Sequence, residues 1–298
     1  MASGAAKLIP SVRHGLHRFI YETPANTPSQ DPEKVMVIRR ITPNILICST
    51  PFLRIGRIKV GGRGTIVKLK DDSLAVFSPT ALTASVKKQM QEQLQSTNVK
   101  YITALDGEHH IFLESWHKEW PNATVIGPET LPAYRDKQGY FKIPQQNWKL
   151  FKKGDPSSLK IDDTFDAEFS TEYVHAHANK ECVFNHKPSR TLIEADLIFN
   201  LPATEQFSKT GTSATSGLLT RLVVGINNTK NEATWQKRLL WYGISSSDRT
   251  GFNESVSKIA KWDFDRIIPC HGDLIEKGGK GIFEKVMAWH LEAAKKGH

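Results

Sequence analysis

From residue 35 the chain alternates short apolar runs with turn residues, which is the pattern of closely spaced strands. Val35–Arg40 and Asn44–Ser49 are the first two runs. Gly61-Gly-Arg-Gly64 leads into a third, Thr65–Lys70, and Asp71-Asp72 turns it into a fourth, Leu74–Phe77. Val86, Met90 and Leu94 then recur at helical spacing, so Thr83–Ser96 reads as a helix that Thr83 can cap. Val99–Thr103 is the next strand. A short helix follows around Glu114–Trp120, ended by Pro121; Ala123–Ile126 is a strand, and Pro128 opens another short helix.

Residues 137–170 read as loop-rich, with small strands at Leu159–Ile161 and Ala167–Phe169. Val174–His177, Glu181–Asn185 and Thr191–Glu194 form a second block of strands. The pattern changes over 202–250, which is rich in Ser, Thr and Gly before becoming helical around Leu218–Val224 and Thr234–Tyr242. This stretch reads as a helical or loop insertion, or a lid, because the core pattern resumes after it. Asn253–Trp262 is a helix, Arg266–Pro269 a strand and Gly281–Lys296 a closing amphipathic helix. Two strand-rich halves with helices between and after them predict layered α/β packing. Residues 1–34 read as an N-terminal arm and connector, with Pro24, Pro28 and Pro32 among polar residues, and 35–298 as one domain.

Composition narrows this picture little. The 298 residues are 39% hydrophobic and 24% charged, as in an ordinary globular protein, and no apolar run approaches the ~18–20 residues of a membrane span. No membrane partner is therefore expected. The three cysteines, Cys48, Cys182 and Cys270, are odd in number and far apart, which fits a reducing compartment and the cytoplasm. Each sits in an apolar run; only Cys270, beside His271, is a candidate ligand. A net charge of +9 would suit a polyanion, but the basic residues are scattered pairs such as Lys87-Lys88 and Lys152-Lys153, so nucleic acid is not the expected partner. Lys7, Arg13 and Arg18 precede the first acid, Glu22; organelle targeting is the alternative reading of that stretch.

Candidate chemistry gathers at four strand ends that carry His or Asp. They are Ala104-Leu-Asp-Gly-Glu-His-His110, Val174-His-Ala-His177, Leu192-Ile-Glu-Ala-Asp196 and Ile267-Ile-Pro-Cys-His-Gly-Asp273. This order resembles the metallo-β-lactamase-like superfamily over roughly residues 40–290. The resemblance implies an αβ/βα four-layer sandwich with metal at one edge between two sheets. Its ligands come in the order of a His-x-His-x-Asp-His loop, a His, a metal-bridging Asp and a last His. Asp196 matches the bridging carboxylate, His271 the last His and His177 the middle one. Aligning His110-Ile111 with the end of the loop motif places His109 at the Asp position, and Leu105 and Gly107 at the first two His positions. The motif is thus degenerate, and Ser78 stands where the first strand of the family often ends in Asp. Glu108–Trp116, Phe184–Leu192 and Asp196–Asn200 further resemble one eukaryotic branch of the superfamily, and that branch implies no particular activity.

Zinc takes about four N, O or S donors, and a catalytic site leaves one position to water. His110, Asp196 and His271 would make a three-ligand set, with His109 or His177 adding a fourth ligand or supporting the others. Asp196 and His109 are also the candidates for catalysis. Leu105 offers no donor and Gly107 only its backbone, so one divalent metal is expected: zinc first, with iron or manganese as alternatives. A metal-bound hydroxide at such a mononuclear site would hydrolyse a small ester, lactone, thioester or amide. Two alternatives remain open. The domain is a catalytically silent binding or scaffold protein, or it is a nuclease or phosphoesterase. His175 and His186 read as structural histidines, and Trp116 and Trp120 as packing residues. Asp106 and Glu108 lie in the degenerate loop, where replacing the lost ligands is the lesser alternative for each, and Asp273 is expected to orient a turn or His271. The sequence leaves the oligomeric state open.

Overall fold

The fold was obtained as a computed structural model and is described for residues 31–297. The basic N-terminal stretch and the targeting reading attached to it lie outside the described residues. No helix among the described residues is long and apolar enough to cross a membrane.

The strands are β1 Val37–Thr42, β2 Ile45–Thr50, β3 Leu53–Arg54, β4 Ile58–Lys59, β5 Gly62–Lys68, β6 Leu74–Phe77, β7 Val99–Thr103, β8 Thr124–Pro128, β9 Trp148–Phe151, β10 Phe169–Val174, β11 Glu181–His186, β12 Thr191–Ile193 and β13 Arg266–Ile268. One sheet has the order β1-β2-β5-β6-β7-β8-β9, and a second β10-β11-β12-β13; β3 and β4 form a separate hairpin. The first sheet is antiparallel up to β6 and parallel from β6 to β9.

Residue alternation builds the layers. Ile45 and Ile47 of β2, Ala75 and Phe77 of β6, and Tyr101 of β7 face the second sheet, whose Cys182, Phe184, Ile193 and Ile268 meet them. The intervening Leu46, Cys48, Leu74, Val76 and Ile102 point outward, under the helices Ala84–Gln89 and Leu113–Glu119. On the second sheet Val183, Leu192 and Ile267 turn the other way, onto the helices Arg249–Ile259 and Gly279–Val286. A period of two therefore gives each sheet two buried faces, and the result is helix, sheet, sheet, helix. All three cysteines are buried thiols in these layers.

Several local expectations need correction. Val35 ends a short helix, Pro32–Val35, whose first turn Asp31 caps through Glu33 N. Pro128 closes β8 rather than opening a helix, and the helix Leu131–Lys137 begins later with Pro132 in its first turn. Leu159 lies in a 3₁₀ turn, and Ala167 in the helix Asp163–Glu168, which Asp162 caps through Phe165 N. The closing helix is two, Gly279–Val286 and Ala288–Lys295. Thr83 does accept a hydrogen bond from Val86 N, at 3.2 Å, and the helix it starts widens into a π-turn over Met90–Leu94.

Candidate metal centre

Three side chains from distant parts of the chain converge between the sheets. His109, Asp196 and His271 place one donor atom each within 4.8 Å of one another. His109 Nε2 is 3.1 Å from His271 Nε2, and His271 Nε2 is 3.2 Å from Asp196 Oδ1.

The surrounding groups decide which atoms carry protons. Gly61 O receives His271 Nδ1 at 2.6 Å, and a carbonyl oxygen only accepts, so the proton sits on Nδ1 and the lone pair on Nε2. Asp106 Oδ1 does the same to His109 Nδ1 at 2.8 Å. Asn179 Nδ2 donates to Asp196 Oδ2 at 2.6 Å, while buried Oδ1 has no hydrogen-bond partner. Three potential electron-pair donors thus face one another, an arrangement made favourable by a proton on His109 Nε2 or by a bound metal cation. The spacing fits a metal ion. Zinc–nitrogen bonds of about 2.0–2.1 Å in a tetrahedron put donors about 3.3 Å apart, close to the observed 3.1 and 3.2 Å.

The surrounding charges govern protonation. Burial opposes ionisation of Asp196, yet His271, His109 and His177 hold its carboxyl well below the usual carboxylate range. Burial also opposes a charge on His109, but Asp106, helped by Asp196 and Glu181, pushes its pKa up to about 9. Beneath the cluster, burial and then the charges of Asp106 and Asp196 push Glu181 well above its ordinary value. Glu181 accepts Ala195 N at 2.8 Å and Asp196 N at 3.0 Å, fixing the backbone that presents Asp196.

The strand end that carries His271 is held from several sides. Fully buried Arg63 donates Nη1 to Pro269 O at 2.6 Å and to Gly272 O at 2.8 Å, spanning the histidine. Gln206 receives Gly272 N at 3.1 Å and donates to Cys270 O at 2.8 Å. Gly272 has φ +91°, and a Cβ there would lie 2.2 Å from Asn200 O, so this position requires glycine. Phe199 lies flat against the His271 ring, with centroids 5.2 Å apart at 8°.

The sequence-predicted residues divide. His109, Asp196 and His271 come together. His110, expected to ligate beside Asp196 and His271, is turned away. Arg135 Nη1 donates to its Nδ1 at 3.1 Å and its carbonyl at 2.8 Å, and the rings of Tyr134 and Tyr140 meet its ring edge-on. The cause is a turn at Asp106, whose Oδ1 also accepts Glu108 N and His109 N at 2.8 Å, so adjacent side chains diverge. His177 is buried, with Nε2 3.7 Å from Glu181 Oε2 and Nδ1 accepting Asn179 N at 3.1 Å; it stands beside the cluster but outside it. Cys270 points its thiol to Arg63 O at 3.4 Å, and burial raises its pKa well above the ordinary value. His175 pairs with Asp248 at 3.2 Å, and His186 with Ser189 at 2.7 Å. Asp273 accepts Glu205 N at 2.9 Å and so holds the start of the helix Thr204–Phe207. Gly61, Arg63 and Asn179 were not legible as site residues. The Gly61–Gly64 run marked Gly61 and Arg63 only as the approach to a strand, without pointing to His271.

A cavity of about 380 Å³ opens beside His109 and His271. Phe52, Leu53, Ile55, Ile111, Phe112 and Tyr134 give it largely apolar walls.

The profile of one sequence family, described as a domain of unknown function, DUF4336, matches residues 52–242. That is more than half of the chain. The chain belongs to the DUF4336 family. The matched stretch includes His109 and Asp196 and ends before His271. Among curated proteins, none matches this DUF4336 chain by sequence. Solved structures do match it. A metallo-β-lactamase from Hirschia baltica aligns with a TM-score of 0.54 at 11% identity, covering 86% of this chain and 98% of that one. A flavoprotein from Thermotoga maritima aligns with a TM-score of 0.54 at 13% identity, covering 86% of this chain and 61% of that one. A metallo-β-lactamase from Pseudomonas aeruginosa, solved in a mono-zinc form, gives 0.50 at 13% identity, covering 87% and 96%. The DUF4336 chain therefore has the metallo-β-lactamase fold, a mixed α/β sandwich.

Proposed function

We propose that this protein is a mononuclear metal-dependent hydrolase of a small ester, lactone, thioester or amide, with His109, Asp196 and His271 as the ligands. The observation that carries this reading is the convergence of three lone-pair donors whose opposite faces are fixed by Asp106, Asn179 and Gly61 O. Zinc suits this two-nitrogen, one-oxygen set, and iron or manganese is the alternative. A divalent ion held there supplies Lewis acidity and lowers the pKa of water to about 7. The chain's own residues do the rest. Asp106 and Gly61 keep the two imidazoles in the tautomer that offers Nε2, and Asn179 turns Asp196 Oδ1 inward. Phe199 shields one face of His271 from water, and the walls of Phe52, Leu53 and Ile111 accept the apolar part of a substrate.

One metal rather than two follows from Leu105, which is buried in the core between the sheets, and from Gly107, which brings only a backbone N–H, bonded to Asn179 O at 2.9 Å. The test is hydrolysis of a p-nitrophenyl ester, an aliphatic lactone and an acyl thioester by zinc-, iron- and manganese-loaded protein, beside Asp196→Asn and His271→Ala. At least one substrate should turn over only with metal, and both variants should lose that turnover while keeping the far-ultraviolet spectrum of the fold. Turnover that survives in both variants would remove the reading.

A further inference from the structure

Among the described residues, seven large hydrophobic side chains are exposed, and five of them fall within 218–242. Three share the outer face of one helix, Leu218–Ile226: Leu218 is 84% exposed, Leu222 61% and Leu219 44%. At 100° per residue these leucines lie opposite Thr220, which is fully buried against the body of the protein. Val223 and Val224, on the Thr220 side, pack onto Leu201 and Phe207. The helix thus spends one apolar face on the fold and presents a second to the outside.

Charge around that face is mainly positive, with exposed Glu232 paired to Lys237 as the exception. Thr220 Oγ1 accepts Lys59 N at 3.2 Å and reaches Arg57 O at 3.5 Å, which stitches the helix to the β3–β4 hairpin. The hairpin tip is Arg54-Ile-Gly-Arg57, all exposed, with Ile55 59% open. Neither 51–70 nor 206–231 contains an Asp or Glu. Exposed Arg221 adds a further positive charge on the helix itself, and on the neighbouring helix Thr234–Leu239 exposed Trp235 carries Arg238 over its ring at 4.8 Å.

We propose that the helix Leu218–Ile226, with the Arg54–Arg57 hairpin tip, adsorbs to an anionic membrane surface. Leucines on one face of a helix flanked by arginines are the composition of an interfacial helix, and an anionic leaflet attracts basic residues that lie against it. Leucine is under-represented among the residues that dominate protein–protein contacts, so a protein partner fits this face less well. Adsorption is distinct from spanning, for which no described helix is long and apolar enough. The hairpin that would approach the surface also walls the cavity through Leu53 and Ile55, so an amphiphilic substrate would reach the cavity from the lipid side.

The test is cosedimentation of the full chain with vesicles of phosphatidylcholine alone and with about 30% phosphatidylserine added. The intact protein should bind the anionic vesicles about tenfold or more better, and raised salt should weaken that binding. Leu218→Glu combined with Leu222→Glu should abolish binding without changing the unfolding temperature, because both side chains are open to solvent. Arg57→Glu combined with Arg221→Glu should remove the anionic preference, and gives an independent reading if the leucine variant misfolds. Failure of the intact protein to bind anionic vesicles overturns the proposal. So does self-association of the intact protein that the leucine variant abolishes without any vesicle binding.

Discussion

His109 Nε2 and His271 Nε2 lie 3.1 Å apart, although 162 residues separate them in the chain. Each ring has its other nitrogen committed to an acceptor, Asp106 Oδ1 at 2.8 Å and Gly61 O at 2.6 Å. Two imidazoles so tethered repel each other through their lone pairs unless a proton or a metal cation lies between or beside them.

Asp106→Asn should weaken metal binding about 10–100-fold, the usual loss when the group behind a ligating histidine is altered. The amide still offers an oxygen to Glu108 N and His109 N, so the turn should persist. Competition against a chromophoric chelator measures the effect, and an unchanged affinity would show that Asp106 does not orient a ligand.

His110→Ala should leave metal stoichiometry intact and lower stability by about 1–3 kcal/mol, because buried Arg135 loses the ring acceptor at 3.1 Å. Urea unfolding and elemental analysis of the same preparation check the two halves. His109→Ala should do the opposite, losing the metal.

Gly272→Ala should destabilise the fold by about 2 kcal/mol or more, since φ +91° and a backbone atom 2.2 Å from the new Cβ both oppose it. The same shift would carry His271 away from Asp196, so metal affinity should fall with the denaturation midpoint.

Stability should also depend on His290. Burial, with Arg249 adding to it, lowers its pKa from 6.5 to about 4. The ring is neutral in the fold, donating Nδ1 to Asn253 at 2.7 Å. A depressed folded-state value means the unfolded chain takes the proton first. This contribution is therefore fully present above pH about 6.5 and is lost as pH falls toward about 4, by about 3 kcal/mol in all. Unfolding free energies measured across that window should fall less steeply for His290→Gln than for the natural protein.

Much of the fold was legible because strands buried on both faces announce themselves. Leu74–Phe77 puts Ala75 and Phe77 on one side and Leu74 and Val76 on the other, and nothing polar interrupts it. β9 was not legible, because Trp148-Lys-Leu-Phe151 pairs only with β8 and three of its four residues are half-buried. The site was legible as a set of strand ends, and Asp196 and His271 do meet there. The choice between His109 and His110 was not. The loop departs from strand geometry at the Asp106 turn, so no periodicity tells which of two adjacent rings faces inward. Gly61 enters through its carbonyl oxygen, which leaves no signature in a sequence.

One divalent metal ion held by His109, Asp196 and His271 is the core of the proposed function. It is tested most directly by elemental analysis of the protein purified without chelators, alongside Asp196→Asn and His271→Ala prepared identically. About one equivalent of zinc, iron or manganese is expected in the natural protein, and a small fraction of that in either variant. A folded natural protein that neither carries nor takes up any of these metals, or variants that retain a full equivalent, would contradict it.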